Sequence, residues 1–308
     1  MKENFSAINL KIKANLIRQD IIKMLAQAGS GHPAGSLGMA DIMTALYFKI
    51  LNHNPKKPNW PERDRLILSN GHIVPVRYAA MARAGYFSTA KLKTLRKLGS
   101  PLQGHPSLVD FPEMECSSGP LGQGISIAVG MAMAAKMDKS RTTFYPKKVV
   151  RDKKNYQIYC TMGDGELDEG QCWEALMLAA KYHLNNLTVI VDRNNIQLDG
   201  PTEQIMPLDP LAEKIKAFNW QVVIINGHEF KEIIKACQKA KKQKSKPLAI
   251  IAKTVPGKGV SFMEGKYEWH GMAPNMEQAK IALAELQVEY NLLKGSGDFS
   301  RRKQKNVS

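Results

Sequence analysis

The chain has 308 residues, of which 44% are hydrophobic, and its net charge is +16. This length and composition are typical of a soluble globular protein with a well-sized core. No apolar run reaches the roughly 18 residues of a membrane helix, and residues 1–5 lack the apolar core of a signal peptide, so we expect no membrane partner.

The cysteines show no paired spacing; they stand at positions 116, 160, 172 and 237. Free thiols without a disulfide framework are typical of a reducing compartment, and we therefore expect a cytoplasmic protein.

The basic residues cluster in three segments, at 136–154, 235–246 and 301–305. Such a charge makes nucleic-acid binding an alternative. No zinc spacing, aromatic RNA-binding signature or basic zipper accompanies the clusters. We therefore interpret them as solvated loops and helix faces, and nucleic acid is not an expected partner.

Helices and glycine-rich loops dominate the first half of the chain. Apolar spacing predicts an amphipathic helix over 10–28, ended by Gly29. A loop at 30–38, rich in glycine and short of charge, is suited to close contact. Further predicted elements are a helix at 41–51, a strand at 64–69, a helix from 73 to 84 with Pro75 in its first turn, a helix from the cap Ser88 to 98, and a helix of small residues at 125–137.

Strands and helices alternate in the second half. Strands are predicted at 156–162, 187–192, 221–226 and 247–254, and helices at 173–180, 210–218, 229–240 and 275–293. This alternation predicts an α/β fold with a doubly wound, mostly parallel sheet flanked by helices. No linker divides the chain, so we expect one domain over 1–294, followed by a disordered basic tail over 295–308.

The stretch Gly163-Asp164-Gly165 lies where a predicted strand ends and a helix begins. Ligands of open α/β sheets bind at such strand ends, and a helix start offers free backbone N–H groups to an anion. Glycines let a phosphate approach closely, whereas Asp164 would repel it unless a cation lay between them. This combination indicates Mg²⁺, which prefers few protein ligands plus phosphate oxygens.

Residues 192–196, Asp-Arg-Asn-Asn-Ile, follow the next strand along the chain. They come one βαβ step after Asp164, so the ends of two neighbouring parallel strands can share one metal ion. Taken singly, each motif is more often an ordinary turn or loop, because short motifs often match by chance. Their joint spacing favours the metal site.

Gly-Asp-Gly-Glu at 163–166 followed by Asp-x-Asn-x-Ile at 192–196 resembles the thiamine diphosphate motif. Five further motifs occur in transketolase order: Ser30-Gly31-His32-Pro33, Ser69-Asn70-Gly71-His72, Gly104-His105-Pro106, Gly119-Pro120-Leu121-Gly122-Gln123-Gly124 and Trp269-His270-Gly271. From about Leu10 to Leu293, the chain therefore resembles the diphosphate-binding half of a transketolase.

The resemblance implies thiamine diphosphate and Mg²⁺ as cofactors. Asp164, the Asn194 side chain and the Ile196 carbonyl would bind the metal ion, with Gly163 and Gly165 beside the diphosphate.

Other motifs would contact the rest of the cofactor and the substrate. His72 and His270 would face the diphosphate, and the backbones of Gly119 and Leu121 would contact the aminopyrimidine. The residues expected to be catalytic are His32, His105 and His270, which would line the substrate channel and handle sugar hydroxyls or protons, since imidazoles titrate near neutrality. His53 and His183 have no neighbouring motif and are not assigned to the site.

Two arginines depart from the family pattern. Arg77 stands where an apolar residue is usual, and Arg193 stands where an acidic or small residue is common. Neither removes a ligand, but both bear on substrate preference.

A complete transketolase continues into a pyrimidine-binding domain, which holds the glutamate that activates the cofactor and the residues that bind the sugar phosphate, and into a third domain. Some members are encoded as two chains. The resemblance thus predicts an N-terminal subunit of a split transketolase that transfers a two-carbon ketol unit from a ketose phosphate to an aldose phosphate. Such a subunit would need a separately encoded C-terminal subunit.

The expected assembly is two copies of each chain. Glu169 and Glu174 would face the interface, and the small-residue helix after Gly124 would pack there. Three alternatives remain open: a related enzyme acting on a modified sugar, a regulatory cofactor-binding subunit without turnover, and a nucleic-acid binder whose binding would depend steeply on salt.

Overall fold

The computed structural model describes the backbone of residues 6–140 and 156–305, with side chains described over 6–137 and 156–296. Within these residues one sheet of five parallel strands has the order β1-β2-β3-β5-β4. The strands are β1 (Arg65–Leu68), β2 (Ile158–Gly163), β3 (Leu187–Arg193), β4 (Gln221–Asn226) and β5 (Leu248–Lys253). The predicted parallel α/β sheet is confirmed.

Helices precede the sheet and then alternate with its strands. They are α1 (Ala7–Ala28), α2 (Pro33–Gly38), α3 (Ala40–Ala45), α4 (Val74–Ala84), α5 (Gln123–Ser140), α6 (Gly170–Lys181), α7 (Thr202–Ile205), α8 (Leu211–Ala217), α9 (Phe230–Lys241) and α10 (Met276–Lys305). Local sequence explains the ends of α1: the Ser6 hydroxyl accepts the Asn9 N–H at 3.4 Å, and Gly29 ends the helix with a left-handed φ of 65°.

Side chains alternate between the two faces of the sheet and bury two hydrophobic cores. On β1, Leu66 and Leu68 join one core, whereas Ile67 joins the other. The first core includes residues of α1 to α4, α9 and α10, and the second includes residues of α5, α6 and α8. The sheet is therefore covered by helices on both faces, as a doubly wound fold requires.

The carboxyl ends of the strands form the edge that carries the candidate site. Gly163 of β2 is paired with Asp192 of β3, and Asp192 is paired with Ala252 of β5. Because the strands are parallel, the loops that leave these three residues start side by side.

The structure differs from the predicted elements most clearly at three places. The glycine-rich loop contains the buried helix α2, whose first residue is Pro33, a position where proline costs no hydrogen bond. Ser88 caps only a 3₁₀ turn over Thr89–Thr94, because Leu95 leaves the helical region with a ψ of 130° and Arg96 adopts a left-handed φ of 59°. The last helix, α10, continues past Leu293 to Lys305, where a disordered tail was expected from residue 295.

Much of the basic segment at 136–154 lies outside the described residues, and so do the side chains at 301–305. Over the part of the chain that the structure describes, no helix is both long and apolar enough to cross a membrane.

Candidate active site

The strand ends bring the predicted metal-binding residues together. One carboxylate oxygen of Asp164, Oδ1, accepts the N–H of Gly165 at 2.9 Å. The other, Oδ2, accepts the N–H of Asn195 at 2.7 Å. The buried carboxylate therefore lies directly against the turn that contains Asn194 and Ile196.

The turn after β3 is held by its own side chains. The amide oxygen of Asn194 accepts the N–H of Ile196 at 3.1 Å, and its amide nitrogen donates to Asp192 at 3.0 Å. Asn195 adopts a left-handed φ of 61°. Asp192 also accepts a hydrogen bond from the hydroxyl of Thr254, which follows β5. Three strand ends are thus joined around one turn.

Burial disfavours the ionised form of the carboxylates at this edge. Burial raises the pKa of Asp164 to about 6, although the Asn195 N–H and Arg193 act in the opposite direction. Burial likewise raises the pKa of Asp192 to about 7. Because desolvation penalises these carboxylates when they are ionised, a divalent cation beside them would stabilise the charged form.

The residues present fit Mg²⁺. A carboxylate, a side-chain amide and a backbone carbonyl supply the hard oxygen ligands that this ion prefers, and diphosphate oxygens would complete the set. The described residues contain no group of three or more His, Cys, Asp or Glu side chains that could hold a metal ion. Among the predicted ligands, only Asp164 belongs to those residue types.

Glu166 is a structural centre of the site to which the motifs assigned no role. Its Oε1 accepts the Ser69 hydroxyl and the Gly122 N–H, the latter at 2.8 Å, while Oε2 accepts the Gly163 N–H at 3.1 Å. The side chain therefore ties the loops after β1, before α5 and after β2 to one another. Burial raises the pKa of Glu166 despite these donors. Its place in the Gly-Asp-Gly-Glu motif was the available signal.

Arg193 binds the carboxylate of Asp164 directly. Its guanidinium donates to Asp164 at 3.1 Å, to Glu203 at 2.5 Å and to Asp209 at 3.3 Å. The side chain is largely buried. This departure from the family pattern therefore links the strand edge to the segment that follows the turn.

Four loops bring four histidines together. The ring centroid of His32 lies 5.0 Å from that of His72, 6.5 Å from that of His105 and 5.7 Å from that of His270. The rings of His72 and His270 are 5.1 Å apart. Histidines that are far apart in sequence therefore form one cluster, and it contains all four that the motifs had indicated.

Burial keeps these imidazoles neutral near physiological pH. It is the largest cause that lowers the pKa of His32 to about 4, followed by the charges of His270, Arg96 and His105. Burial also lowers the pKa of His72, His105 and His270. Within the described residues, the buried Nδ1 of His32 has no hydrogen-bond partner. Buried polar atoms are normally paired, so an unpaired one inside the cluster is a feature to be explained.

Glycines allow the loops beside the cluster to approach one another. A Cβ on Gly71 would lie 2.9 Å from the backbone nitrogen of Gly119, and a Cβ on Gly119 would lie 3.1 Å from the His105 ring. Gly119 has a φ of 152°, which favours glycine. The predicted cofactor loop with Gly119 and Leu121 therefore adjoins both the histidines and, through Gly122, the buried Glu166.

The exposed Arg96 is a further charged group at the cluster that no motif indicated. A Cβ on Gly104 would lie 2.7 Å from its guanidinium carbon, and one on Gly31 would lie 3.8 Å from its Nε. The glycines that precede His32 and His105 thus leave space for the arginine.

Other predicted positions lie outside the cluster. Arg77 is buried and binds Glu115 and, at 3.2 Å, the Tyr47 hydroxyl, so its side chain is not available to a substrate and its expected bearing on substrate preference has no support. His53 binds the Tyr47 carbonyl at 2.7 Å, and His183 is exposed, in keeping with their omission from the site.

Comparison with known proteins identifies the family. Residues 10–292 match the family model described as transketolase, thiamine diphosphate binding domain. The chain belongs to the transketolase family. It is 43% identical over 282 residues to a 6-deoxy-6-sulfo-D-fructose transketolase subunit of a Clostridium species, covering 92% of this chain and 98% of that protein. It is 38% identical over 277 residues to an apulose-4-phosphate transketolase subunit of Phocaeicola vulgatus, covering 90% and 93%.

Solved structures support the same conclusion. The transketolase of Campylobacter jejuni superposes with a TM-score of 0.81 at 34% identity, over 98% of this chain but only 48% of that one. The chain therefore matches nearly the whole length of the transketolase subunits and about half of a full-length transketolase. Its likeness is to the N-terminal subunit of a split transketolase, as the motifs predicted.

Proposed function

We propose that this transketolase subunit, together with a separately encoded pyrimidine-binding subunit, transfers a two-carbon ketol unit from a ketose phosphate to an aldose phosphate. The observation that carries the proposal is the cluster of four histidines beside the oxygen-rich strand edge. The two parts have complementary chemistry, one suited to a metal diphosphate and the other to sugar hydroxyls.

Asp164, Asn194 and the Ile196 carbonyl would hold Mg²⁺, and the backbone at Gly163 and Gly165 would lie beside the diphosphate. Thiamine diphosphate, when bound, supplies the stabilisation of a carbanion that the protein side chains lack. The hydrogen bond from the Asn195 N–H to Asp164 holds the carboxylate against this turn, which would lower the ordering cost of binding.

The histidines would bind and orient the sugar. His72 and His270 would face the diphosphate, and His32, His105 and His270 would face the substrate. Because their pKa values are lowered, each ring is neutral and can present one N–H donor and one nitrogen acceptor. Such rings can hold a hydroxyl proton or accept one during the transfer, and the unpartnered Nδ1 of His32 is consistent with a polar group being supplied from outside the chain.

Apolar side chains around the site support a second, partner chain. Leu121, Leu198 and Met272 are exposed by 38%, 65% and 48%. Leu198 also lies next to Gly271 and the His32 ring, since a Cβ on Gly271 would be 3.5 Å from Leu198 and 3.8 Å from His32. Exposed apolar side chains that border a polar site fit a surface that another chain covers.

The assembly that we propose has two copies of each chain. Glu169 and Glu174 are exposed at the start of α6, where they can reach a neighbouring subunit. Gly130 and Ala134 are exposed on α5 and allow close packing. The relatives that match nearly full length are themselves named as subunits. The free cysteines favour a cytoplasmic location.

A modified sugar is the second candidate substrate. Two relatives that span the same length are named for a sulfo-sugar and for a branched sugar phosphate. Both belong to the same reaction class, so the choice between substrates does not alter the roles proposed for the residues.

The test is a reconstitution of ketol transfer. The chain is purified alone and with the candidate partner from the neighbouring reading frame, and each sample receives thiamine diphosphate, Mg²⁺, xylulose 5-phosphate and ribose 5-phosphate. We expect turnover only with both chains, and none when the first chain carries Asp164→Ala. A sulfo-sugar or branched-sugar donor replaces xylulose 5-phosphate in parallel.

The outcomes separate the hypotheses. Full turnover by the isolated chain would overturn the two-chain proposal. Tight cofactor binding by the pair without transfer from any donor would favour a regulatory role instead.

A further inference from the structure

His228 forms a bridge between two parts of the fold that the motifs did not connect. It follows β4, and its ring nitrogen Nδ1 lies 2.8 Å from a carboxylate oxygen of Asp41 in α3. The other ring nitrogen, Nε2, accepts the backbone N–H of Val255 at 2.8 Å. A backbone N–H can only donate, so Nε2 must be the acceptor. The neutral ring therefore carries its proton on Nδ1 and donates it to Asp41.

Asp41, which accepts the hydrogen bond from His228, is itself held in place by Arg18. Its buried carboxylate binds the guanidinium of Arg18 at 2.5 Å, and the Nε of Arg18 donates to the Leu37 carbonyl at 3.2 Å. Burial acts to raise the pKa of Asp41, but Arg18 and His228 outweigh it and lower the pKa. The carboxylate is thus ionised and is bound by Arg18 on one side and by His228 on the other. Because Arg18 holds the carboxylate in place, the hydrogen bond to Asp41 fixes the orientation of the His228 ring.

Val255 lies in the segment 254–259, which joins the two halves of the proposed site. At its start, the Thr254 hydroxyl donates to Asp192 beside the metal-binding turn. Further on, the Gly257 N–H donates to the Ala34 carbonyl of α2 at 2.9 Å. The helix α2 begins directly after His32. A shift of this segment would therefore move the strand edge and the His32 helix relative to each other.

This segment packs so closely against α2 that its backbone has little room to move. A Cβ on Gly38 would lie 3.0 Å from the Val255 carbonyl oxygen. The N–H and the C=O of Val255 are thus both constrained, the first by His228 and the second by the α2 backbone.

We infer that His228 is a positioning residue of this enzyme: by accepting the Val255 N–H, it holds segment 254–259 so that the metal-binding edge and His32 keep their mutual placement. The inference rests on the proposed function for its catalytic consequence, whereas the structural part stands on the hydrogen bonds alone. His228 touches neither the metal ligands nor the histidine cluster in the described contacts, so it acts through Val255 and not on the substrate.

The decisive variants are His228→Gln and His228→Leu. Glutamine can donate its amide N–H to Asp41 and accept the Val255 N–H at its oxygen, whereas leucine can do neither. The matched control is His183→Asn, which changes an exposed histidine whose left-handed φ of 48° asparagine tolerates. Should the leucine variant fail to fold, His228→Asn replaces it, because its shorter amide reaches Asp41 but falls short of Val255.

Hydrogen exchange of the isolated full-length chain gives the first readout. We expect the leucine variant to speed exchange of the backbone amides at 254–259 by about tenfold or more, since a loop that loses its anchor opens locally at lower cost. The glutamine variant and the control should exchange as the wild type does. Unchanged protection in the leucine variant, or equal loss of protection in both position-228 variants, would overturn the inference.

Steady-state kinetics of the reconstituted two-chain enzyme give the second readout. We expect the leucine variant to lower kcat by about tenfold while the glutamine variant restores most of it, because misplacement near reacting groups slows turnover without removing a ligand. If protection at 254–259 changes as expected but no ketol transfer is found with any variant or the wild type, the proposed function fails and the positioning role survives. If transfer is normal in the leucine variant, the positioning role fails and the proposed function survives.

Discussion

Replacing Glu166 tests whether one buried carboxylate holds the three loops of the site together. Its two oxygens accept hydrogen bonds from Ser69, Gly122 and Gly163, and the side chain is almost fully buried. In Glu166→Gln, the amide oxygen can keep the two donors at Oε1, but the new NH₂ group then faces the Gly163 N–H. In Glu166→Ala, all three donors lose their acceptor.

The expected magnitudes follow from these contacts. A hydrogen bond to a charged group contributes about 1.5–3 kcal/mol, and a buried donor left unpaired costs about 1–3 kcal/mol. The glutamine variant loses one such bond, so we expect the free energy of unfolding to fall by about 1.5–3 kcal/mol. The alanine variant leaves three buried donors unpaired at about 1–3 kcal/mol each, so we expect a loss of at least about 3 kcal/mol. Because the same loops border the proposed cofactor site, both variants should also weaken thiamine diphosphate binding.

The measurement is urea unfolding of the isolated chain at pH 8, followed by circular dichroism. The matched control is Glu174→Gln, on the exposed face of α6. Surface changes of that kind usually alter stability by less than about 0.5 kcal/mol. The reasoning would be refuted if both Glu166 variants unfolded at the same urea concentration as the control.

Three further predictions concern the proposed ligands and histidines. Asp164→Ala should abolish Mg²⁺-dependent thiamine diphosphate binding to the two-chain complex, and equal cofactor affinity by calorimetric titration would contradict the metal assignment. His32→Ala and His105→Ala should spare cofactor binding but lower turnover on the order of a hundredfold; unchanged steady-state rates in both would remove them from the mechanism. Because the folded pKa of His32 is lowered to about 4, its neutral form stabilises the fold fully above pH 6.5, and this contribution is lost as the pH falls from 6.5 through 4. Relative to His32→Asn, the wild type should therefore lose about 1–2 kcal/mol across that interval, a figure discounted for the partial exposure of the ring; parallel stability curves for the two proteins would count against it.

Most elements of the fold were predictable because their signals are local. The helix ending at Gly29 and the strand at 221–226 are set by apolar periodicity and a glycine stop, which neighbouring residues carry. Secondary-structure predictions were wrong in segments where helix-favouring and loop-favouring residues lie close together. Pro33 began a helix within a glycine-rich loop, and the segment after Ser88 formed a 3₁₀ turn instead of a longer helix.

The sequence by itself determined the family, the strand-end position of Asp164 and the four histidines to be considered, because ordered motifs carry that information in adjacent residues. Only the tertiary structure decided what those residues meet. In the folded chain, Arg77 lies in the core and Arg193 binds Asp164. Glu166 is buried among three loops, and His228 binds the backbone of Val255. The physical reason is the strand order β1-β2-β3-β5-β4, which places loops that are far apart in sequence at one edge of the sheet. At that edge, the side chains that a residue contacts depend on spatial proximity and not on spacing along the chain.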